Sequence, residues 1–231
     1  MIRKKAIICV IAAIAAAGCS VLPQGRDTGP ADRTARADSP RVTRSAPPVA
    51  MAPASRQCTG ELTGSRAQYE PLPDKYYGAG CSTVNTVRLT GLGADGGALD
   101  VTNLGAVSCP LALTFAGWAR YGVDRAARQI LGSPLARIET FGSYSCRNIA
   151  GSAKRSAHAR AEALDIGAFV LADGRRISVR NGWNGTRDER AFLRVVHRSA
   201  CKRFGTVLGP DYNKAHEDHL HLEQGAGSFC R

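Results

Sequence analysis

The chain has 231 residues with 31 basic and 19 acidic side chains, so its formal net charge is +12. Apolar residues make up 44% and charged residues 22%, which suits one buried core and excludes several membrane spans, a coiled coil and a wholly disordered chain. The sequence lacks a basic cluster interleaved with aromatic residues, so we expect no nucleic-acid partner and consider an acidic polymer such as cell-wall material instead.

The first 19 residues have the pattern of an export signal. A cationic stretch at 3–5 precedes an apolar run at 6–17, which is too short to span a bilayer comfortably. The run ends in Ala16-Ala17-Gly18-Cys19, which resembles a bacterial lipobox and predicts a lipid anchor on Cys19, although Ala16 stands where leucine is usual. An ordinary secretory signal is the alternative. Both predict an exported domain, and with the lipid anchor Ser20 favours a cell-envelope lipoprotein of the outer membrane that faces the periplasm.

Residues 20–57 are predicted to be a disordered tether rich in proline, alanine and arginine. They include six prolines and no aromatic residue, so they cannot bury enough apolar surface to offset the entropy of ordering. Proline keeps such a segment extended. A specific binding site made by its arginines is the alternative. The folded domain is therefore expected at 58–231.

The first half of this domain contains short strand patterns followed by one long helix pattern. Strands are predicted at 84–89 and 98–101. A helix is predicted from Pro110, because apolar residues follow at helical spacing as far as Ile130, and Gly132 ends it. A strand at 137–141 and a loop at 142–155 follow.

The second half alternates strands and a helix. Strands at 165–171 and 175–180 are predicted to form a hairpin around Asp173-Gly174. A capping box, Thr186 with Glu189, begins a helix that ends at Gly205. A strand at 206–208 follows, and the alternation at 219–222 puts two histidines on one strand face. The predicted fold is α+β, with a small antiparallel sheet flanked by helices.

Six of the eight cysteines lie in the predicted domain, where an even number in an exported protein predicts disulfides. They allow 15 pairings, and the sequence alone selects none of them. No pair has CxxC spacing, which argues against a cysteine-based zinc site, and a nucleophilic cysteine would leave an odd number. We expect three structural bridges among Cys58, Cys81, Cys109, Cys146, Cys201 and Cys230.

Two clusters of histidine and aspartate suggest a metal site. His158 precedes Asp165 by seven residues, and three of the five histidines lie at 216, 219 and 221. Two imidazoles and a carboxylate are what a catalytic zinc site needs, because a fourth position then holds water, whose pKa zinc lowers to about 7. We expect a loop to carry His158 into a strand that begins near Asp165. A surface helix with both side chains solvated is the alternative.

Two motifs resemble those of zinc peptidases. Segment 156–165, SAHARAEALD, resembles the SxHxxGxAxD signature of D-Ala-D-Ala peptidases, with Ala161 in place of the usual glycine. Segment 218–221, DHLH, resembles the second signature of the fold group that these enzymes share with lysostaphin-type peptidases and hedgehog domains. Residues 58–231 as a whole resemble the bacterial extensin-like C-terminal domain family, through segments 109–112 (CPLA), 142–147 (GSYSCR), 207–213 (VLGPDYN) and 216–221 (HEDHLH).

The resemblance implies a hedgehog- or D-Ala-D-Ala-peptidase-like fold that holds one zinc ion on His158, Asp165 and His221. It also puts Asp218 in the place of the acidic general base. His219 is expected beside the metal, where it orients water or stabilises the oxyanion, and it becomes the base if Asp218 points away.

Four further polar residues have predicted roles. Arg147 resembles the arginine of the substrate-binding loop, where it binds a carboxylate or the oxyanion; a surface arginine beside a disulfide is the alternative. Ser156 is a weaker candidate for contact with a ligand or substrate. His216 is expected to be peripheral, and His197 to be a surface or packing residue.

The leading hypothesis is a monomeric zinc peptidase acting on peptidoglycan stem peptides or cross-links. The sequence does not choose between a D-Ala–diaminopimelate bond and a link between two diaminopimelates. A non-catalytic wall-binding lipoprotein with a structural metal is the first alternative, and a closed site with four protein ligands, His219 included, would favour it. A disulfide-stabilised interaction domain without metal is the second, favoured if the three ligands fail to converge. We expect the metal on the open face of the sheet, with 58–107 packed around it.

Overall fold

The computed structural model describes residues 53–231. The predicted signal, Cys19 and residues 20–52 of the predicted tether lie outside the described residues. Within the described part of the chain, no helix is long and apolar enough to cross a membrane.

The first helix, α1, spans Pro53–Gly64 and includes the last five residues of the predicted tether. The expected domain start at residue 58 therefore falls inside a helix. Several contacts hold α1 to the rest of the domain: a disulfide joins Cys58 to Cys109, Leu62 is fully buried in the core, and the Tyr69 hydroxyl donates to the Thr59 carbonyl at 2.8 Å. The sequence pattern missed this helix because Leu62 is the only large apolar residue in it.

Twelve strands follow, ten of them in one large sheet, so the prediction of a small antiparallel sheet was wrong. The order along the sheet is β1-β4-β5-β7-β8-β11-β10-β12, with β6 paired to β4 and β9 paired to β8, while β2 and β3 form a separate hairpin. Two pairs, β5–β7 and β10–β12, are parallel. The strands are β1 Gln68–Pro71, β2 Lys75–Gly78, β3 Cys81–Thr83, β4 Thr86–Ala94, β5 Gly97–Thr102, β6 Ala106–Ser108, β7 Leu135–Gly142, β8 Ala163–Leu171, β9 Arg176–Ser178, β10 Thr206–Leu208, β11 Leu220–Glu223 and β12 Phe229–Cys230.

The long helix pattern is confirmed. Helix α2 spans Cys109–Trp118 and continues through two π-helical stretches, Ala119–Asp124 and Ala127–Leu131. It ends at Gly132, whose φ of 70° is in the left-handed region that glycine adopts at little cost. Because β6 and this helical run both lie between β5 and β7, these two strands can lie parallel, which a short hairpin connection does not allow.

Two more helices lie between β9 and β10. Helix α3 spans Val179–Gly182, and the Ser178 side chain caps it by accepting a hydrogen bond from the Asn181 backbone, so the strand predicted to reach residue 180 ends at 178. Helix α4 spans Arg187–Cys201 and begins with the predicted Thr186–Glu189 capping box. Two 3₁₀ turns, Ala157–Arg160 and Lys214–His216, complete the structure.

An aromatic cluster lies between the long helical run, α4 and β8. The Trp118 ring lies 6.3 Å from Phe169 of β8 and 5.9 Å from Phe204, and Phe169 contacts Phe192 of α4 at 5.4 Å. A regular strand would put Asp165 on the same face as Phe169, four residues away. The pairing of β7 with β8 shifts register between Ala168 and Ile166 of β8, which forms a β-bulge there. This bulge turns Asp165 away from the aromatic core.

Three disulfides confirm the expectation of three bridges and give the pairing that the sequence left open. Besides the bridge at α1, one bond joins Cys81 of β3 to Cys146, in the loop after β7. The other joins Cys201, at the end of α4, to Cys230 of β12. The Cys81–Cys146 bond ties the β2–β3 hairpin, which is part of 58–107, to the loop that contains Arg147.

Candidate metal centre

Two of the three predicted ligands face each other across neighbouring strands. Asp165 of β8 and His221 of β11 are directly opposite in an antiparallel pair. Such partners have side chains about 5 Å apart at Cβ. The Nδ1 atom of His221 therefore reaches Oδ1 of Asp165 at 2.7 Å.

The third predicted ligand, His158, lies on the 3₁₀ turn that leads into β8. Ser156 caps this turn, because its side-chain oxygen accepts a hydrogen bond from the His158 backbone at 3.4 Å. The turn ends at Ala161, which has a φ of 56°. Glycine adopts this left-handed conformation at little cost, which explains why the D-Ala-D-Ala peptidase signature has glycine at the position of Ala161. The expectation of a connecting segment that carries His158 into the strand is confirmed, with a 3₁₀ turn in place of a loop.

The three side chains converge at one point. His158 Nε2 lies 3.2 Å from His221 Nδ1 and 3.2 Å from Asp165 Oδ2, and the three donor atoms all lie within 4.8 Å of one another. Ligand atoms in a tetrahedral zinc site lie about 3.3 Å apart when each is about 2.0 Å from the metal. All three residues are at least nine-tenths buried.

The hydrogen bonds around the cluster fix which nitrogen of each imidazole faces it. His158 donates from Nδ1 to the backbone carbonyl of Ser143, and His221 donates from Nε2 to Glu223 at 2.9 Å. His158 Nε2 and the Asp165 carboxylate are then both acceptors facing each other. A cation between them satisfies both, and such outer hydrogen bonds are typical of metal-ligating histidines. The residues therefore fit a divalent metal ion.

The electrostatics of the cluster follow from this proximity. Burial alone would raise the pKa of Asp165, but the imidazoles of His158 and His221 outweigh it and hold the pKa well below its usual value. Burial alone would lower the pKa of His221, but its hydrogen bonds to Asp165 and Glu223 raise the pKa to about 9. Asp165 is therefore ionised in the ordinary pH range, as a metal ligand must be.

His219 lies beside the three-residue cluster, one position before β11 begins. Its Nε2 is 3.6 Å from Asp165 Oδ1, and its Nδ1 donates to Asp218 at 2.8 Å. The second carboxylate oxygen of Asp218 accepts from Arg180 at 3.1 Å. Both oxygens of Asp218 are thus engaged away from the cluster, whereas the free nitrogen of His219 faces it. Hydrogen bonds from His219 and Arg180 lower the pKa of Asp218.

A cleft of about 370 Å³ opens beside the cluster. Arg147 and Ser156 both line it, as do His219 and His221. The guanidinium of Arg147 is half-exposed and lies 3.7 Å from Asp165 Oδ2, so it presents a positive charge at the edge of the centre. Ser156 is buried and serves the turn that positions His158. The structure therefore places Arg147, Ser156 and His219 beside the three-residue cluster, whereas the carboxylate of Asp218 points away from it.

His216 lies closer to the centre than the sequence suggested. Its ring is 5.2 Å from that of His219 and 5.7 Å from that of His221, and it lines the cleft. Its Nδ1 donates to Asn213 at 2.7 Å. Burial and the neighbouring imidazoles of His219 and His221 lower its pKa to about 4, so the ring is neutral at pH 7.

Three supporting contacts were missed by sequence reasoning: the Ser143 carbonyl, Glu223 and Arg180. Strand alternation could have identified Glu223, because it shares a face with His221 two residues earlier. No local pattern marks Ser143 or Arg180, since their partners lie 15 and 38 residues away.

A second group of metal-ligand atoms lies elsewhere, at His197, Cys201 and Cys230. Its two sulfurs form a disulfide with each other, so they are not free thiolates. His197 packs edge-on against Trp183 and contacts the Arg231 carbonyl at 3.1 Å, consistent with the predicted packing role.

The family model described as "Extensin-like protein C-terminus" matches residues 56–231. The chain belongs to this family. The match covers the whole candidate centre of the extensin-like domain, and its start at residue 56 lies inside α1. No curated protein and no solved structure matches the chain.

Proposed function

We propose that this extensin-like domain is a zinc-dependent peptidase that hydrolyses stem-peptide or cross-link amide bonds of peptidoglycan. One observation supports this proposal above all others: two histidines and an aspartate converge, buried, beside a cleft that contains a free imidazole nitrogen and a guanidinium. In the resembling D-Ala-D-Ala peptidases and hedgehog-type domains, these positions hold zinc, and we propose the same fold group here.

His158, Asp165 and His221 would hold the ion. Zinc with three protein ligands supplies Lewis-acid chemistry, activating water and polarising an amide carbonyl. The side chains of Ser143 and Glu223 are not ligands in this proposal: the Ser143 carbonyl and the Glu223 carboxylate hold the two imidazoles in the required tautomers.

His219 is the general base of the proposed reaction. Asp218 accepts the Nδ1 proton of His219, so Nε2 carries the lone pair and lies next to Asp165. In this position Nε2 accepts a proton from the attacking water and delivers it to the leaving amine nitrogen. Asp218 acts as a positioning residue that also stabilises the protonated imidazole, and Arg180 holds Asp218 in turn.

Arg147 binds an anionic group of the substrate at the edge of the centre. Its side chain is half-exposed and reaches toward Asp165, so it is available to a peptide carboxylate or to the developing oxyanion. Stem peptides carry free carboxylates, which suits this cation. With the predicted export signal and lipid anchor on Cys19, the enzyme would act as a monomer in the cell envelope.

Two measurements test the proposal. Zinc content should be about one ion per purified chain and should fall below a tenth of that in His158→Ala, because a required ligand is lost. Digestion of purified sacculi, followed by fragment mass, should show new products with the wild type. The rate should fall by about 100-fold or more in His219→Ala, because proton transfer is lost. His197→Ala, in a histidine outside the site, is the matched control for both measurements.

A non-catalytic wall-binding protein with a structural metal is the second candidate. The 3.6 Å separation between His219 Nε2 and Asp165 favours it, because a small movement would make His219 a fourth protein ligand. Zinc-loaded protein that leaves the muropeptide profile of sacculi unchanged would replace the peptidase proposal with this one.

A further inference from the structure

The positive charge of the domain is concentrated on one helix. Residues 58–231 have 22 basic and 16 acidic side chains, a net charge of +6. Residues 187–203, which cover α4 and the two residues after it, have six basic and two acidic side chains, a net charge of +4. Both acidic residues, Asp188 and Glu189, lie in the first turn, where Glu189 completes the capping box. From Arg190 onward this segment carries only positive charges.

These cations share one side of the helix. Their spacing of three or four residues places them on a single face, while the opposite face packs into the core through Phe192, Leu193 and Val196. We call this the basic face of α4; it consists of Arg187, Arg190, Arg194, Arg198 and Lys202.

Four of the five cations on the basic face lack an acidic partner among residues 53–231. Arg194 alone pairs with a carboxylate, that of Asp211, and its guanidinium also lies 4.0 Å from the centre of the Trp183 ring. The Arg190 guanidinium donates to the Gly185 carbonyl, which carries no formal charge. A row of unpaired like charges on a rigid helix repels itself, and an external anion relieves that repulsion.

The basic face lies next to the cleft of the candidate metal centre. Asp211, the partner of Arg194, directly precedes Tyr212, which lines the cleft. At the other end of α4, the Cys201–Cys230 disulfide joins the helix to β12, where Phe229 also lines the cleft. A polymer held on the basic face would therefore lie close to residues that line the cleft.

We propose that the basic face of α4 is a docking surface for the carboxylate groups of the peptidoglycan polymer, separate from the metal centre. This inference rests on the proposed function for the nature of the polymer. Four of the five cations are arginines, whose planar guanidinium binds a carboxylate through two parallel hydrogen bonds. An interfacial lipid-binding helix also exposes large apolar side chains, and between its cations the basic face exposes only Ala191. The surface thus favours an anionic polymer over a bilayer.

The experiment measures binding of the full-length protein to purified sacculi at several NaCl concentrations. Every protein carries Cys19→Ser, so that a lipid anchor cannot contribute, and EDTA is present so that binding is read without zinc-dependent cleavage. The test variant is Arg187→Gln/Arg198→Gln/Lys202→Gln, whose side chains have no partner among the described residues.

The matched control variant removes three charges elsewhere, as Arg66→Gln/Lys75→Gln/Lys154→Gln. We expect the test variant to bind sacculi about fivefold or more weakly at 50 mM NaCl, with a flatter dependence on salt, and the control to change less than about twofold. Sacculi whose carboxylates are blocked as amides should lose the difference between wild type and test variant.

Three results would overturn the inference. The first is that the test variant binds sacculi as tightly as the wild type does. The second is that the control variant loses as much affinity as the test variant, which would reduce the effect to net charge. The third result is that wild-type protein binds anionic phospholipid vesicles through these side chains but does not bind sacculi. Because cleavage is not measured, a failure here leaves the proposed peptidase untouched, and a failed digestion leaves the docking surface untouched.

Discussion

Each imidazole of the candidate centre has one nitrogen facing the cluster and the other held by a fixed acceptor. For His158 this acceptor is the Ser143 carbonyl, and for His221 it is the Glu223 carboxylate. The hydrogen bond holds each ring in the orientation that points its other nitrogen at the cluster, so neither ring must rotate to reach an ion. The precision of the centre thus depends on residues that do not contact the ion.

Replacing Glu223 by glutamine should therefore weaken zinc binding without removing a ligand. We expect an affinity about 10–100-fold lower, because His221 loses its charged acceptor and becomes a poorer donor to the metal. Competition against a chelator of known affinity measures this. Glu217→Gln, an exposed carboxylate near the site, is the control. Equal zinc affinity in wild type and Glu223→Gln would contradict the assigned role.

Zinc binding should also release a proton near neutral pH. The pKa of His221 is raised to about 9 in the folded protein, above its ordinary value of about 6.5. The protonated ring therefore contributes its full stabilisation of the folded state below pH 6.5, and this contribution is lost as the pH rises through about 9. At pH 7.5 the metal must displace this proton. Calorimetry in buffers of different ionisation enthalpy should give at least one more proton released per ion at pH 7.5 than at pH 10. Equal release at both pH values would refute the assignment.

The candidate ligand residues could be picked out from the sequence, whereas the residues that support them could not. His158, Asp165 and His221 lie in short motifs whose spacing is visible in one dimension. Ser143 acts through its backbone carbonyl, which every residue has, so its side chain gives no signal. The choice between Asp218 and His219 as base also stayed open, because it depends on where each side chain points.

Among the elements, the 3₁₀ turn at Ala157–Arg160 matters most for the site, because it aims His158 at β8. Its end at Ala161 has a positive φ of 56°, where a non-glycine residue is strained by about 1 kcal/mol. Ala161 is also fully buried. Glycine would remove the strain, but it would also remove a buried methyl group and add flexibility to the unfolded chain.

These opposing effects predict that Ala161→Gly changes the free energy of unfolding by less than about 1 kcal/mol. Ala161→Val should lower it by about 2 kcal/mol or more, because a branched side chain fits neither the left-handed backbone nor the packed site. Zinc affinity should fall in parallel, since His158 is displaced. Urea denaturation and chelator competition measure both effects. Ala157→Val, at the start of the same turn, should cost less; an equal cost would argue against backbone strain.

Elements with strong local signals were predicted well. Gly132 marks the end of the long helical run, and the Thr186–Glu189 capping box marks the start of α4. Strands of two to four residues, such as β6 and β12, are too short to show periodicity, and the pairing partners of a strand depend on tertiary packing. The size and partly parallel character of the sheet were therefore not foreseeable.

For the whole molecule, the disulfides and the proposed ion act on different parts of the domain. The Cys58–Cys109 bridge anchors α1, the Cys81–Cys146 bridge holds the loop of Arg147, and the third bridge secures β12. The candidate metal ligands lie on β8, β11 and the turn before β8. An ion would thus stabilise the centre of the sheet, where none of the three described disulfides lies.

Zinc should accordingly raise the melting temperature of the domain even with all bridges intact. At a zinc concentration of 100 Kd, the folded state gains about 2.7 kcal/mol, which corresponds to a shift of about 5–10 °C for a domain of this size. Scanning calorimetry with and without EDTA measures the shift. His158→Ala should abolish the shift. His197→Ala should keep the shift, whatever the melting temperature of that variant is without zinc. An unchanged shift in His158→Ala would place the stabilising ion elsewhere.

The distance along the chain between the ligands has a consequence for biogenesis. His158 and His221 are 63 residues apart, and they meet only because β11 aligns beside β8. A polypeptide in which β11 has not yet docked offers an ion just the donors of the 3₁₀ turn and β8. Ion uptake would therefore come late in folding. A molecule that holds an ion would be one in which β11 has already paired with β8.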